Sequence, residues 1–446
     1  MSHGLSRRGA LKLGVASAAL PLVHIRTAGA AGKLAIGFWD HWVPGANDVM
    51  TKIVREWADK NKVDVSIDYI TSVGNKNLLT LAAEAQAKTG HDLQTFPTWE
   101  VRNNADVLEP MDDVLKRLTA KYGPVNPIVD YLAKSKGSYR AMPNIAGSQY
   151  KPGCSRLDVW KEHMGMEMDK IFPVGDKMGP GYENWTWDKF VGYAEKANKA
   201  GMPFGLPMGQ FTDAVDWVGS CFAAHGAQLV DEKGEITAKS DGVRKVMEFF
   251  KKLAPNLPGD VFSWDDASNN RALISGKSAM IFNPPSAWAV AVRDNPEVGK
   301  KLWSHPGPAG EKGRFTPYLP YFWGVWSFAS NKTAAKELIE HLSEREQAEK
   351  LCTASHGYDI PPFATMANFP VWTKEGPPEG TVYNYPIRPQ HDAKPWIAAY
   401  PAPPDIAVQI YNQATMTKMV ARMVQGGNSI EQAIGWAQGE LEGFSR

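Results

Sequence analysis

Apolar positions along this chain switch between a two-residue and a three-to-four-residue rhythm. Lys33 to Phe38 is a short apolar run ending in a Gly-aromatic pair, which predicts a strand. From Asn47 to Lys60, Met50, Ile53, Val54 and Trp57 recur at helical spacing and predict an amphipathic helix. Val63, Val65, Ile67 and Tyr69 then alternate with polar residues, the periodicity of a strand. Asn77 to Lys88 is an Ala/Leu-rich helix stopped by Gly90, and His91 to Phe96 is a third strand. This βαβαβ order predicts a parallel sheet wrapped by helices. Ligands bind such sheets beyond the carboxyl ends of the strands. Here those ends are Trp39-Asp40-His41-Trp42 and Pro97-Thr98-Trp99-Glu100, both clusters of aromatic and polar residues.

Further along, a helix is expected over about 111–118, and Asn144 to Lys151 reads as an extended Gly/Ser/Gln-rich linker to a second lobe. Thr186 before Trp187-Asp188-Lys189-Phe190 has the form of a helix start. Helical patterns recur at 213–227, 241–253 and 265–275, a strand at 278–283, and strand-like residues at 319–329. A helix over 332–350 carries Ala334, Ala335, Leu338, Ile339 and Leu342 on its apolar face. Residues 361–404 are rich in Pro and aromatics and read as irregular. Two closing helices, about 406–425 and 429–442, flank Gly426-Gly427.

The first thirty residues are read as an address. They hold Arg7, Arg8, Lys12 and Arg26 and no acid, an apolar stretch from Leu13 to Val23, and the small-x-small site Ala28-Gly29-Ala30. That order is an export signal. Ser6-Arg7-Arg8-Gly9-Ala10-Leu11-Lys12 is similar to the twin-arginine motif; Ala10 stands where a large apolar residue is usual, which leaves the Sec route open. A short amphipathic anchor is the alternative, but the apolar block has no opposing polar face. Loss of the four bases turns the formal charge of +1 into −3. The mature chain is then expected in the bacterial periplasm or at the cell surface.

Composition narrows the classes. A chain of 446 residues suggests two or three domains. Near-neutral charge gives no electrostatic reason to expect nucleic acid. No apolar run reaches the roughly 20 residues of a membrane span. Cys154, Cys221 and Cys352 lie far apart; three cysteines leave at least one unpaired, and buried, inert thiols are the favoured reading. Sixteen tryptophans, with 17 phenylalanines and 14 tyrosines, either fill a core or line a site for flat, partly apolar ligands.

Enzyme signatures are missing: there is no Gly-x-Ser-x-Gly elbow, P-loop or dinucleotide fingerprint, and no His-x-x-x-His or Cys-x-x-Cys pair for a metal. Asp40-His41 is a weak pair whose side chains diverge. Asp112-Asp113 and Asp265-Asp266 are read as helix-start acids facing solvent. The stronger pattern is distributed. Aromatic and polar residues recur together at predicted strand-to-helix junctions, as Trp39/Asp40/Trp42, Trp99/Glu100, Asp213/Trp217, Asn283/Trp288, Tyr321/Trp323 and Tyr358/Asp359. Rings pack on the C–H faces of a sugar while carboxylates and amides hydrogen-bond its hydroxyls. Each buried polar group that a wrong ligand leaves unpaired costs about 1–3 kcal/mol, so such a site discriminates without chemistry.

Seven segments in order resemble the extracellular solute-binding proteins of ABC importers, family 1, which include sugar- and maltose-binding proteins. Leu78-Leu79-Thr80 through Gly90-His91-Asp92 looks like that family's helix and Gly-Pro-Asp strand entry, with His91 for Pro. Ala105 to Asp113 looks like its Gly-Leu-Leu-x-Pro-Leu-Asp segment, and Tyr139 to Pro143 its Tyr-Gly-Leu-Pro turn, with Arg140 for Gly. Asn184 to Phe190 resembles its Thr-Trp-Asp-Glu-Phe helix start, and Ala224 to Thr237 its Gly-Gly-x-Leu-x-Asp hairpin. Gly276-Lys277-Ser278-Ala279-Met280 matches its Gly-Lys-Ala-Ala-Met motif, and Lys332 to Leu342 its Asn-Lys-Glu-Ala-Ala helix. Ser148-Gln149-Tyr150-Lys151-Pro152 lacks the Tyr-Asn pair that usually follows.

The resemblance implies two α/β lobes, each a mostly parallel sheet with helices on both faces, joined by about three crossovers. Lobe one would hold 31–146 and about 305–345, and lobe two 147–304 and about 346–446. It implies a monomer without cofactor or metal that binds a carbohydrate or polyol and delivers it to an ABC permease. Closure of the lobes on ligand is general behaviour of that class. The expected ligand contacts are Trp39, Asp40, Trp42, Trp99 and Glu100 from lobe one, with Asp213, Trp217, Asn283, Trp288 and Tyr358 from lobe two or nearby. Tyr321 and Trp323 lie on the return to lobe one. Two rival readings stay open, a secreted polysaccharide-active enzyme and a ligand sensor coupled to a chemoreceptor or kinase.

Overall fold

The computed structural model describes residues 32–173, 177–366, 368–374 and 393–444; the expected export signal lies outside them. The first segment forms β1 (Gly32–Trp39), α1 (Ala46–Asn61), β2 (Val63–Ile70), α2 (Lys76–Ala87) and β3 (Leu93–Pro97). β1 pairs in parallel with both β2 and β3. The helical rhythm of α1 buries Met50, Ile53, Val54 and Trp57, the face its sequence predicts. α3 (Asp112–Tyr122) follows, with Asp112 and Asp113 in its first turn, and then the short strand β4 (Met142–Pro143).

The chain leaves this lobe through β5 (Gln149–Tyr150) and continues as β6 (Gly153–Arg156). The second lobe adds α4 (Trp187–Lys199), α5 (Thr212–Ala224), α6 (Asp241–Leu253), α7 (Ser268–Ile274), β7 (Met280–Phe282), α8 (Ser286–Asp294), β8 (Leu302–His305) and β9 (Gly313–Leu319). Thr186 caps α4 and Ser240 caps α6, each hydroxyl accepting a backbone N–H three residues on. β6 pairs antiparallel with both β7 and β8, so the second lobe departs from the mostly parallel sheet expected of it. Its links are not βαβ units, which alone would force parallel strands.

After Pro320, β10 (Tyr321–Val325) re-enters the first lobe and pairs antiparallel with β3 and β4, giving the order β2-β1-β3-β10-β4. α9 (Lys332–Leu342) and α10 (Arg345–Ala354) both pack on α1. The single helix expected over 332–350 is therefore two. The lobe boundaries move as well. β9 packs against α5 of the second lobe, so the return to lobe one falls at 320 and not near 305. α10 stays on lobe one, and Phe363 bridges Val125 there, well beyond 346. Within the Pro-rich stretch read as irregular, β11 (Ala393–Trp396) runs parallel to β9. α11 (Pro404–Asn412), α12 (Thr415–Val424) and α13 (Ile430–Phe444) close the chain. α12 packs on α5 and α6. Ala414, at φ 52°, breaks the helix expected over 406–425.

Two passages between the lobes are themselves paired: Gln149 and Tyr150 of β5 lie antiparallel to Leu319 and Tyr318 of β9. Ser148 ties them together. Its hydroxyl accepts the Tyr321 N–H at 2.8 Å and donates to the Asn144 carbonyl at 2.7 Å, while its carbonyl accepts the Ile360 N–H at 3.0 Å. Cys154, Cys221 and Cys352 are buried and unpaired, and burial pushes each thiol up, Cys154 to about 12. That keeps them protonated and inert. Among the described residues no helix is long and apolar enough to cross a membrane.

Candidate functional site

Between the lobes lies a cleft. Its first-lobe wall is built from element ends: Trp42 after β1, Asn75, Asn77 and Leu78 at the start of α2, Pro97 to Glu100 from the end of β3, and Tyr321 opening β10. Tyr358 joins them after α10. The second-lobe wall comes from Asp213 at the start of α5, Asp266 and Asn270 at α7, Asn283 and Ser286 between β7 and α8, and Tyr411 and Asn412 at the end of α11. Gln149 and Lys151 of the first passage form the floor.

Seven of the twelve expected contact residues therefore face one cleft: Trp42, Trp99, Glu100, Asp213, Asn283, Tyr321 and Tyr358. The other five do not. Trp39 sits one layer behind, stacked on Tyr358 (ring centroids 6.0 Å) and edge-on to Tyr321 (5.3 Å), so it supports two wall residues. Asp40 accepts the Asn47 side-chain amide at 2.8 Å and orders the turn into α1. Trp217 is core: it stacks with Trp187 and Phe282 and donates to the Pro207 carbonyl at 2.7 Å. Trp323 is fully buried against Phe38, one strand step deeper than Tyr321. Trp288 lies edge-on to His356. Adjacent letters mark a strand end, but only residues aimed out of it reach the cleft, and tryptophans beside them serve the core.

The cleft also contains groups that the motifs did not single out. Lys151, 4 % exposed, donates to the carboxylates of Asp213 and, at 2.7 Å, Asp216. Asn269 completes Asp213 at 2.9 Å, and the Tyr411 hydroxyl completes Asp216 at 2.8 Å. Burial works against the Lys151 ammonium, but the two carboxylates outweigh it and hold its pKa above the ordinary value. For Asp216 burial prevails over Lys151 and the pKa is raised. Asp266 has no such partner. Its buried Oδ1 accepts no hydrogen bond, and burial, reinforced by the Asp213 charge, pushes the carboxyl up to about 7. The expectation that Asp265-Asp266 faces solvent holds only for Asp265, which bonds Ser268 and Arg271. Glu100 is raised by burial despite amide bonds from Asn103, Asn412 and Asn104. Asn412 belongs to the opposite lobe, as does Asp405, which pairs with Arg102 at 2.9 Å.

The aromatic wall is held by its neighbours. Trp99 lies edge-on to Tyr131 (5.5 Å), and its indole N–H has no partner. The Tyr358 hydroxyl donates to Gln149 Oε1 at 2.6 Å. Gly147 has φ 97°, and a Cβ there would run into the Tyr321 ring, so only glycine fits. Thr98 takes φ 39° at the cleft edge, a strained setting for a β-branched residue. Among the described residues no group of three His, Cys, Asp or Glu has the arrangement of a metal site. Rings, amides and acids converge on this one cleft, a surface that can hold a small molecule by packing and hydrogen bonds.

Comparison with known proteins gives one family match, to bacterial extracellular solute-binding proteins over residues 52–377. No curated protein matches the sequence. Among solved structures, maltose-bound MalE3 of T. maritima superimposes with TM-score 0.73 at 17 % identity, covering 92 % of this chain and 99 % of its own. An ABC transporter solute-binding protein of Thermotoga lettingae bound with α-D-tagatose gives 0.72 at 17 %, covering 93 % and 99 %. A sugar transporter protein of Arthrobacter chlorophenolicus with laminaribiose gives 0.71 at 16 %, covering 92 % and 99 %.

Proposed function

The chain belongs to the bacterial extracellular solute-binding proteins, and from that premise we propose that it captures a sugar or related polyol in the interlobe cleft and delivers it to an ABC permease. The observation that carries this reading is the cleft itself, where aromatic faces and hydrogen-bonding amides and acids converge from both lobes. Full contact then exists only when the lobes are together, and that differential affinity draws the population toward the closed form. The paired passages at β5 and β9 and the Ser148 bonds give the lobes a short, ordered axis on which to move. The closed, liganded form is what the permease reads. The signal at 1–30 takes the chain to the periplasm, by the twin-arginine route or by Sec, where it works as a monomer and not as an enzyme. Sugar-bound relatives of the same fold support the ligand class.

A thermal-shift screen against sugars, polyols, amino acids and phosphodiesters tests this. A sugar or polyol should raise the melting temperature by mass action, with 1:1 stoichiometry by calorimetry and no product by chromatography. Turnover of an oligosaccharide would instead identify an enzyme.

A further inference from the structure

Resting on the reading that the cleft holds a hydroxylated solute, we infer that this solute carries a protonated amine, seated against Asp266. Three acids line the cleft, Glu100, Asp213 and Asp266, against one base, Lys151. Lys151 is already spent, since its ammonium sits between Asp213 and Asp216. Arg271 is spent on Asp265. Asp266 is left with a buried oxygen that nothing donates to.

A buried acceptor without a donor is costly, and a buried charge without a counter-charge more so. A neutral hydroxyl supplies only the donor. An ammonium supplies the donor and the charge together, and the rings of Trp42, Tyr321 and Tyr358 on the same cleft offer faces for its alkyl shoulder. Without such a ligand Asp266 answers its surroundings by keeping a proton near neutral pH. The groups whose charge reaches it are Asp213, Asp216 and Asp265, which favour that proton, and Lys151, which opposes it. Seating an ammonium therefore releases the proton, and affinity for the amine rises with pH through about 7 while the amine stays charged.

The experiment uses matched pairs, 6-amino-6-deoxyhexoses each beside the parent hexose, titrated calorimetrically into the mature protein at pH 6 and pH 8. The amine should bind at least tenfold more tightly than its parent at pH 8, with a smaller preference at pH 6. Asp266→Asn should abolish the preference and its pH dependence; circular dichroism and melting verify that the variant is folded, and the wild-type pH comparison needs no variant. A parent hexose that binds as tightly as its amine, or a preference that survives Asp266→Asn, overturns the inference and leaves sugar capture standing. If no member of any pair binds, the inference and the sugar reading fall together.

Discussion

His41 Nε2 lies 3.0 Å from Asp359 Oδ1, although 318 residues separate them in sequence. The Val43 N–H donates to His41 Nδ1 at 2.9 Å, which places the ring proton on Nε2 and aims it at Asp359. The same carboxylate oxygen accepts the Gly147 N–H at 2.8 Å. One acid thus joins the end of β1, the passage to the second lobe and the segment after α10. Asp359→Ala strands two buried donors and should lower stability by about 2–4 kcal/mol in urea unfolding. An unchanged midpoint would show that these bonds are of no account.

Lys151 is held by two carboxylates, and removing it leaves both buried without a cation. Lys151→Met should cost about 3–5 kcal/mol. The triple variant Lys151→Met/Asp213→Asn/Asp216→Asn should recover most of that loss, because no charge is then left alone. Chemical unfolding of the two variants checks this; equal losses would refute the charge explanation.

Trp42 and Trp323 separate a binding role from a packing one. Trp42 is half-buried on the cleft wall, whereas Trp323 is fully buried. Trp42→Ala should leave the ligand-free melting temperature nearly unchanged and remove ligand-induced stabilisation. Trp323→Ala should cost about 3–5 kcal/mol without ligand. The reverse result would exchange their roles.

Asp266 sets a sign for pH dependence. Its carboxyl titrates near 7 in the folded protein and near 3.9 when unfolded. Between those values the native state holds a proton that the unfolded chain has released, so stability falls as pH rises and levels off above about 7. Asp266→Asn removes this contribution. Variant and wild type should melt alike at pH 4, and the variant should melt higher at pH 8, by scanning fluorimetry across pH. A gap independent of pH would show that Asp266 is not the group responsible.

The first half of the fold was legible because period decides it. Strands expected at 33–38 and 63–69 are Gly32–Trp39 and Val63–Ile70, and the helix expected over 77–88 is Lys76–Ala87. Where local signals compete, the reading failed. The Ser343-Glu344 turn between α9 and α10 carries no Gly or Pro, so an apolar stripe ran through it. The site was legible as strand ends rich in rings and acids, but not as individual contacts. Lys151 lay in a stretch read as linker, and its partners Asp213 and Asp216 are more than sixty positions away. No local pattern announces a charge triad closed by the tertiary fold, nor that Asp266 turns inward while Asp265 turns out.

β10 is laid between β3 and β4, yet it is made only after residues 98–320. A nascent chain therefore presents the exposed backbone of β3 throughout synthesis of most of the second lobe. Non-local pairing of this kind is slow to form and prone to aggregation while it waits. A chain ending before Tyr321 lacks the strand that joins β3 to β4, so a cut at the passage after β4 leaves the first lobe's sheet incomplete.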